Sequence, residues 1–222
     1  MFKNGLDMKK KDVRFGNMAR VKENFKDKTK EEIRIDLIVK SREIIKDKGV
    51  ENLTARKLAE YSGYVVGTIY NRFKSMDELV MWENCLTLDE LYENLKNVEM
   101  TSDAYVNLNR LLEKFVEFVL DNKNLWFTLY NFHFKNVMES FTVFYLRRIL
   151  KIVKLLENNL CKLFNKVSAD ERKVSTEVLF VSLFALSSLL TTEKEFVRLE
   201  KKYVARVLFN TYLGGMSCLA KK

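Results

Sequence analysis

Five residues around position 70 carry groups that can read a nucleic acid. Val66, Gly67, Tyr70, Asn71 and Lys74 fall at i, i+1, i+4, i+5 and i+8, so a helix through them presents all five on one face. That face combines an amide, a phenol, an ammonium and one position without a side chain. An asparagine amide can pair with an adenine edge in a major groove, while a phenol and an ammonium can reach phosphate oxygens. Gly67 leaves the backbone bare where such a helix would approach a duplex closely. Ile69 and Phe73, four apart, fall on the other side and can hold the helix to a core. An ordinary helical hairpin packed on the rest of the chain fits the same spacing, and by periodicity alone that plainer reading comes first.

These residues need short elements to position them, and the local sequence supplies the signals. Thr54 can cap a helix over Ala55–Tyr61, with Leu58 and Ala59 inward. Ser62, Gly63 and Tyr64 then form a tight turn, and a further short helix runs from about Val65 to Arg72. Two short helices joined at a glycine make a helix-turn-helix. Four Ser/Thr-x-x-Glu patterns mark helix starts at Thr29…Glu32, Ser75…Glu78, Ser168…Glu171 and Thr192…Glu195. After Thr29, the stripe Ile33, Leu37, Ile44 and Ile45 reaches Gly49, which is expected to end that helix in the left-handed region. The helix after Ser75 is expected to run to about Asn97. Further amphipathic stretches cover Asp103–Leu120, Leu125–Val137, Phe141–Phe164, Ser168–Leu190 and Glu193–Leu219.

Composition agrees with an all-α chain of about nine helices. The 222 residues contain no proline and only 7 glycines, which argues against a loop-rich β-sandwich or a low-complexity chain. Cys85, Cys161 and Cys218 form neither a disulfide framework nor a CxxC metal pattern and read as free buried thiols. With one histidine, His133, and no paired carboxylates, phosphate loop or metal cluster, no enzyme, cofactor or metal is expected. The longest uncharged run, Val178–Thr192, is short for a membrane span and reads as a buried helix. A cytoplasmic protein without membrane attachment is the expectation.

The formal charge of +9 is uneven. Residues 1–30 hold ten Lys or Arg against four Asp or Glu, whereas residues 31–82 hold nine of each. A basic arm over residues 1–28 can lie along phosphates or enter a minor groove by counterion release. A solubilising tail has the same composition.

At the helix-turn-helix the sequence resembles the TetR/AcrR family of bacterial repressors. The resemblance rests on Thr54-Ala55-Arg56-Lys57-Leu58-Ala59, on Gly63, on Gly67-Thr68-Ile69-Tyr70-Asn71-Arg72-Phe73-Lys74-Ser75, and on Asp77-Glu78-Leu79. It spans about residues 30–80. It implies a three-helix reading head, a fourth helix linking the head to a ligand-sensing body, and dimerisation through the last two helices. By that resemblance Arg56 would touch DNA backbone or a base, and Thr68 and Tyr70 would bind phosphate. Val66, Gly67, Asn71 and Arg72 would lie at or beside base edges, with Ile69 and Phe73 in the core of the head. Two residues depart from the pattern. Val65 stands where the family commonly has Ser, and Val is a poor N-cap, at a cost of about 1 kcal/mol. Met76 stands where many members carry a phosphate-binding Lys.

Residues 126–145 crowd Trp126, Phe127, Tyr130, Phe132, Phe134, Phe141, Phe144 and Tyr145 around His133. One helix cannot bury them all on a single face. They form either plain aromatic core or an apolar ligand pocket, with Trp126, Tyr130, His133 and Phe134 as the candidate ligand-binding residues. Apolar residues cover more than one face of Ser168–Leu190, and Ala185, Ser187, Ser188, Gly214 and Gly215 permit close helix contact. A homodimer through residues 168–219 follows.

The expected organisation is a basic arm (1–28), a helix-turn-helix domain (29–74) and a helical ligand-binding and dimerisation body (75–222). The expected function is a ligand-responsive transcriptional regulator, a repressor, bound as a homodimer to palindromic double-stranded DNA and responsive to a small apolar or amphipathic effector. The alternative is an interaction scaffold of the same fold whose sequence-specific DNA binding has weakened.

Overall fold

The computed structural model describes residues 28–136, 142–191 and 201–220, without the side chains of residues 133–136, 142, 201, 202 and 204. The helices are α1 (Lys30–Lys48), α2 (Ala55–Ser62), α3 (Val66–Tyr70), α4 (Met76–Lys96), α5 (Ala104–Asp121), α6 (Lys123–Asn136), α7 (Thr142–Leu163), α8 (Ala169–Leu189) and α9 (Lys201–Leu219). No strand occurs among the described residues.

Helix starts follow their capping chemistry. The Thr29 hydroxyl accepts from the Glu32 amide at 3.2 Å while the Glu32 carboxylate accepts from the Thr29 amide at 2.6 Å. Ser75 caps the Glu78 amide at 3.1 Å, but the Glu78 carboxylate bonds the Lys74 amide at 2.7 Å, one residue before the expected partner. At Ser168 the hydroxyl both accepts from the Glu171 amide and donates to its carboxylate. Thr192 and Glu195 lie outside the described residues. Gly49 departs from expectation: its φ of +82° is positive, but ψ is 161°, an extended region open almost only to glycine rather than the left-handed helical one. A Cβ there would also run into the Glu51 carboxylate. The chain continues into a 3-10 turn over Val50–Asn52 that the sequence reading did not contain.

Two apolar cores result. Leu37, Ile45, Leu58, Ile69, Phe73 and Leu79 are among the side chains of the first. Leu88, Leu91, Phe115, Trp126, Leu183 and Phe209 belong to the second, larger one. Ser75 caps α4, whose early residues Leu79 and Val80 still belong to the first core. Helix α6 serves both, since Leu125 lies in the first and its neighbour Trp126 in the second. Asn124 also donates to the Lys46 carbonyl at 3.0 Å, tying α6 to the last turn of α1.

On α4 a polar seam separates the cores. Glu83, Asn84 and Thr87 are fully buried. Arg42 of α1 donates to Glu83 at 2.8 Å and also bonds Thr87 and Glu90. Thr87 donates to the same Glu83 oxygen at 2.8 Å, and among the described residues Glu83 Oε2 and both amide atoms of Asn84 are enclosed without a partner. Burial pushes the Glu83 carboxyl up from its ordinary value, against the pull of Thr87 and Arg42. Of the cysteines, Cys85 is buried, Cys161 half-buried and Cys218 exposed on α9, so the expectation of three buried thiols holds in full only at Cys85 and fails at Cys218. Its helix face simply points away from the body.

A carboxyl raised on folding adds stability that is present at low pH and lost as pH climbs from the unfolded value of about 4.5 through the folded one. Replacing Glu83 by Gln removes this loss. The stability of Glu83→Gln relative to the parent, followed by urea unfolding at pH 4, 5.5 and 7, should therefore rise with pH.

Candidate nucleic-acid interface

The helix-turn-helix is built by local bonds and two anchors. Thr54 starts α2 by accepting from the Lys57 amide at 3.2 Å. Gly63, at φ +79° and ψ 0°, ends it in the left-handed region that its lack of a Cβ permits. Val65 begins α3 without a side-chain cap, as expected of a valine. The helix is shorter than the expected span of about Val65 to Arg72. Val65 is its cap, and Asn71 and Arg72 form the turn that carries the chain to Ser75.

Ile69 is fully buried and Phe73 nearly so, which orients α3. Opposite them, Val66, Gly67, Tyr70, Asn71 and Lys74 are all exposed, and Tyr70 keeps 52% of its surface open. Arg56 is exposed on α2, while Thr68 is half-buried. Arg72 is half-buried, with Nη1 donating to the Asn71 carbonyl at 3.2 Å and Nε enclosed without a partner among the described residues, so its guanidinium lies along its own backbone. Met76, at the position of the missing lysine, is half-buried against the first core.

Long-range contacts brace this head, and the sequence reading did not contain them. The Arg34 guanidinium lies 5.0 Å from the Phe73 ring centre and 4.7 Å from that of Trp82, with Glu78 at 3.6 Å. It therefore joins α1, the chain after α3, and α4. Tyr64, which sequence reading placed only in a turn, is a core residue whose hydroxyl donates to Asp36 at 2.9 Å. Burial and then that carboxylate push its phenol up. Tyr61 of α2 donates to Glu43 of α1 at 2.8 Å, and Glu43 is held below its ordinary value by Lys40 first and Tyr61 second. Only the Lys40–Glu43 spacing of three residues was a local sequence signal.

In the body, Trp126 is fully buried. Its indole nitrogen donates to Ser188 at 2.9 Å, and its ring lies 5.3 Å from that of Phe115 and 4.8 Å from that of Phe184. Tyr130 is half-buried and stacks on Phe184 with ring centres 5.7 Å apart. The side chains of His133 and Phe134 lie outside the described residues. No group of three or more His, Cys, Asp or Glu is placed to hold a metal ion among the described residues. No helix there is long and apolar enough to cross a membrane.

The described residues thus place a short helix-turn-helix with an outward polar face beside a larger helical bundle. Residues 37–81 match the family described as bacterial regulatory proteins, tetR family. No match is found among curated proteins. Similar folds occur in solved structures. A tetR-family transcriptional regulator from Streptomyces coelicolor is 12% identical, with 86% of this chain and 87% of that chain covered at a TM-score of 0.64. PfmR, a TetR family regulator from Thermus thermophilus, is 17% identical, with 80% and 97% covered at 0.57. RolR in complex with resorcinol is 16% identical, with 87% and 95% covered at 0.61. At these identities the likeness shows the fold alone. Residues 37–81 thus match a TetR-family domain, and the chain shares the all-helical fold of these solved TetR-family regulators.

Beyond its chain neighbours and its own helix backbone, no atom of the described residues lies within 4 Å of where a Cβ on Gly67 would stand. Alanine has the higher helix propensity, so Gly67→Ala should leave the fold intact and raise its stability by up to about 1 kcal/mol. Thermal unfolding checks this, and a large loss would mean that Gly67 serves the chain's own packing.

Proposed function

We propose that the chain is a ligand-responsive, DNA-binding transcriptional regulator, a repressor, that binds a palindromic operator as a homodimer in the cytoplasm. One observation carries this reading: Ile69 and Phe73 face inward while Val66, Gly67, Tyr70, Asn71 and Lys74 face solvent. On this reading α3 enters the major groove. Asn71 reads a base edge, and Val66 and Gly67 let the backbone close on the bases. Thr68, Tyr70, Lys74 and Arg56 hold phosphate, and Arg72 swings from Asn71's carbonyl to join them beside the bases.

The homodimer rests on an unpartnered row. Val174, Val178 and Val181 lie on one face of α8, each more than half exposed, and Val207 is similarly open on α9. Beyond their chain neighbours and the α9 backbone, no atom of the described residues lies within 4 Å of a would-be Cβ on Gly214 or Gly215, leaving room for another helix. On this reading these faces pack about a two-fold axis, and the operator half-sites lie one duplex turn or a multiple apart, roughly 34–36 Å per turn.

The effector reading rests on the aromatic body. A small apolar or amphipathic molecule would meet Tyr130 at the edge of the cluster first. Reaching Trp126 requires opening its packing against Phe115 and Phe184, and His133 and Phe134 follow along the same helix. Such a ligand releases DNA only by binding one arrangement of the reading heads more tightly than the other. The likeness to a neighbour solved with resorcinol supports a small-molecule role. Binding without turnover, and without metal or cofactor, is the chemistry proposed.

The uncapped Val65 and the hydrophobic Met76 favour a second reading, an interaction scaffold with weakened sequence-specific binding. In vitro selection of DNA with the purified chain decides between them: a discrete palindrome supports the regulator, and sequence-blind, salt-sensitive binding supports the scaffold. On the selected site, Asn71→Ala should cost about 1–3 kcal/mol and relax preference at one base pair. Tyr70→Phe should weaken all sequences alike. Gel-shift titrations in which neither change has an effect would show the docking to be wrong. Val178→Glu combined with Val181→Glu should give a monomer by analytical ultracentrifugation and lose most operator affinity.

A further inference from the structure

We infer that Arg34 is a positioning residue for DNA reading: it clamps the turn after α3 against α4 and so sets the angle at which Asn71 and Lys74 meet a duplex. This rests on the reading of α3 given above. Ile69 and Phe73 decide which face of α3 points outward. Apolar burial is non-directional, however, and a helix of five residues seated on such a contact can still pivot about it. A directional contact is needed to hold one angle, because a base edge is read only within a narrow geometry.

Arg34 of α1 supplies that contact at two points of the same turn. Its guanidinium stands 5.0 Å from the ring centre of Phe73, whose amide closes the turn on the Ile69 carbonyl at 2.9 Å. Its Nη2 also pairs at 3.6 Å with Glu78, the carboxylate that accepts from the Lys74 amide at 2.7 Å. One cation thus holds residues 73 and 74, the first through its ring and the second through its backbone. Glu78 and Trp82, four apart on α4, meet Arg34 from one helix face, with the indole ring centre 4.7 Å from the guanidinium. Trp82 in turn lies 6.2 Å from the ring of Phe144 on α7, so the contact extends to the body. A planar cation suits a gap between two rings, where a lysine ammonium would meet one ring at a time. The Arg34 side chain is 24% exposed and its charge is answered by Glu78, so a clamp fits the geometry better than a phosphate contact does.

The test measures affinity by fluorescence anisotropy, for the selected operator and for a random duplex, across a salt series. Arg34→Met and Trp82→Leu should each weaken operator binding about tenfold, the order of one lost desolvated cation–π pair, and should weaken random-duplex binding far less. Trp82→Phe, which keeps an aromatic face, should lose less than Trp82→Leu. Arg34→Lys should lose about threefold, and it carries the comparison if Arg34→Met does not fold. Amide exchange over residues 70–75, followed by mass spectrometry, should be about tenfold faster in the Arg34 variant, with exchange in α5 unchanged as the sign of an intact body. A salt slope lower by about 0.9 on both duplexes would make Arg34 a phosphate ligand and overturn the inference. Equal losses on the two duplexes would overturn it as well. So would unchanged operator affinity in the folded variants, a result that leaves the α3 reading standing. If the full chain selects no palindrome, the α3 reading fails. Exchange over residues 70–75 then decides the clamp alone: faster exchange supports it and no change overturns it.

Discussion

Two buried side chains determine what the reading head can present. Ile69 and Phe73 lie four residues apart on a helix of barely more than one turn, and both are packed into the first core. A helix this short cannot hold itself together in water, so its orientation comes from these contacts. Burying one such side chain is worth roughly 2–3 kcal/mol, comparable to the whole helix's own propensity balance. Once they are inside, the pitch of the helix leaves Val66, Gly67, Tyr70, Asn71 and Lys74 no direction but outward. The Arg34 guanidinium lies over the ring of Phe73 and adds a cation–π contact to that anchor.

The head is not independent of the body. Helix α4 runs from the first core into the second, and α6 places Leu125 in one and Trp126 in the other. Between them lies the seam of Arg42, Glu83, Asn84 and Thr87. A buried ion pair of this kind contributes little net stability, but it fixes geometry, because its partners tolerate few alternative arrangements. The seam thus joins the orientation of α1, and with it the head, to the position of α4. Helix α6, which carries Trp126 in one core and Leu125 in the other, spans the same boundary.

Helix starts were legible because capping is local. Thr29, Thr54, Ser75 and Ser168 each bond an amide within three residues, and the sequence shows both partners together. The outward and inward faces of α3 were legible for the same reason, since helical spacing is a property of neighbours. The extent of α3 was less so, because the chain must turn at Asn71 and Arg72 to deliver Ser75 to its cap, with Glu78 reaching back to the Lys74 amide. The ψ angle of Gly49 and the 3-10 turn after it depend on how α1 meets α2, which no local signal encodes. Arg42 and Glu83 are 41 residues apart and Lys28 and Tyr64 are 36 apart, so neither pairing leaves a trace in periodicity. The aromatic crowding near Trp126 was visible as composition, but only packing showed the indole sealed against Ser188.

The central claim is that the outward face of α3 enters major grooves on one side of a duplex. Guanine N7 protection from dimethyl sulfate, mapped alongside hydroxyl-radical cleavage on operator DNA, tests it most directly. The account predicts two protected major-groove patches related by a two-fold axis, their centres separated by a whole number of helical turns. Protection of the backbone alone, with every guanine still reactive, would contradict it.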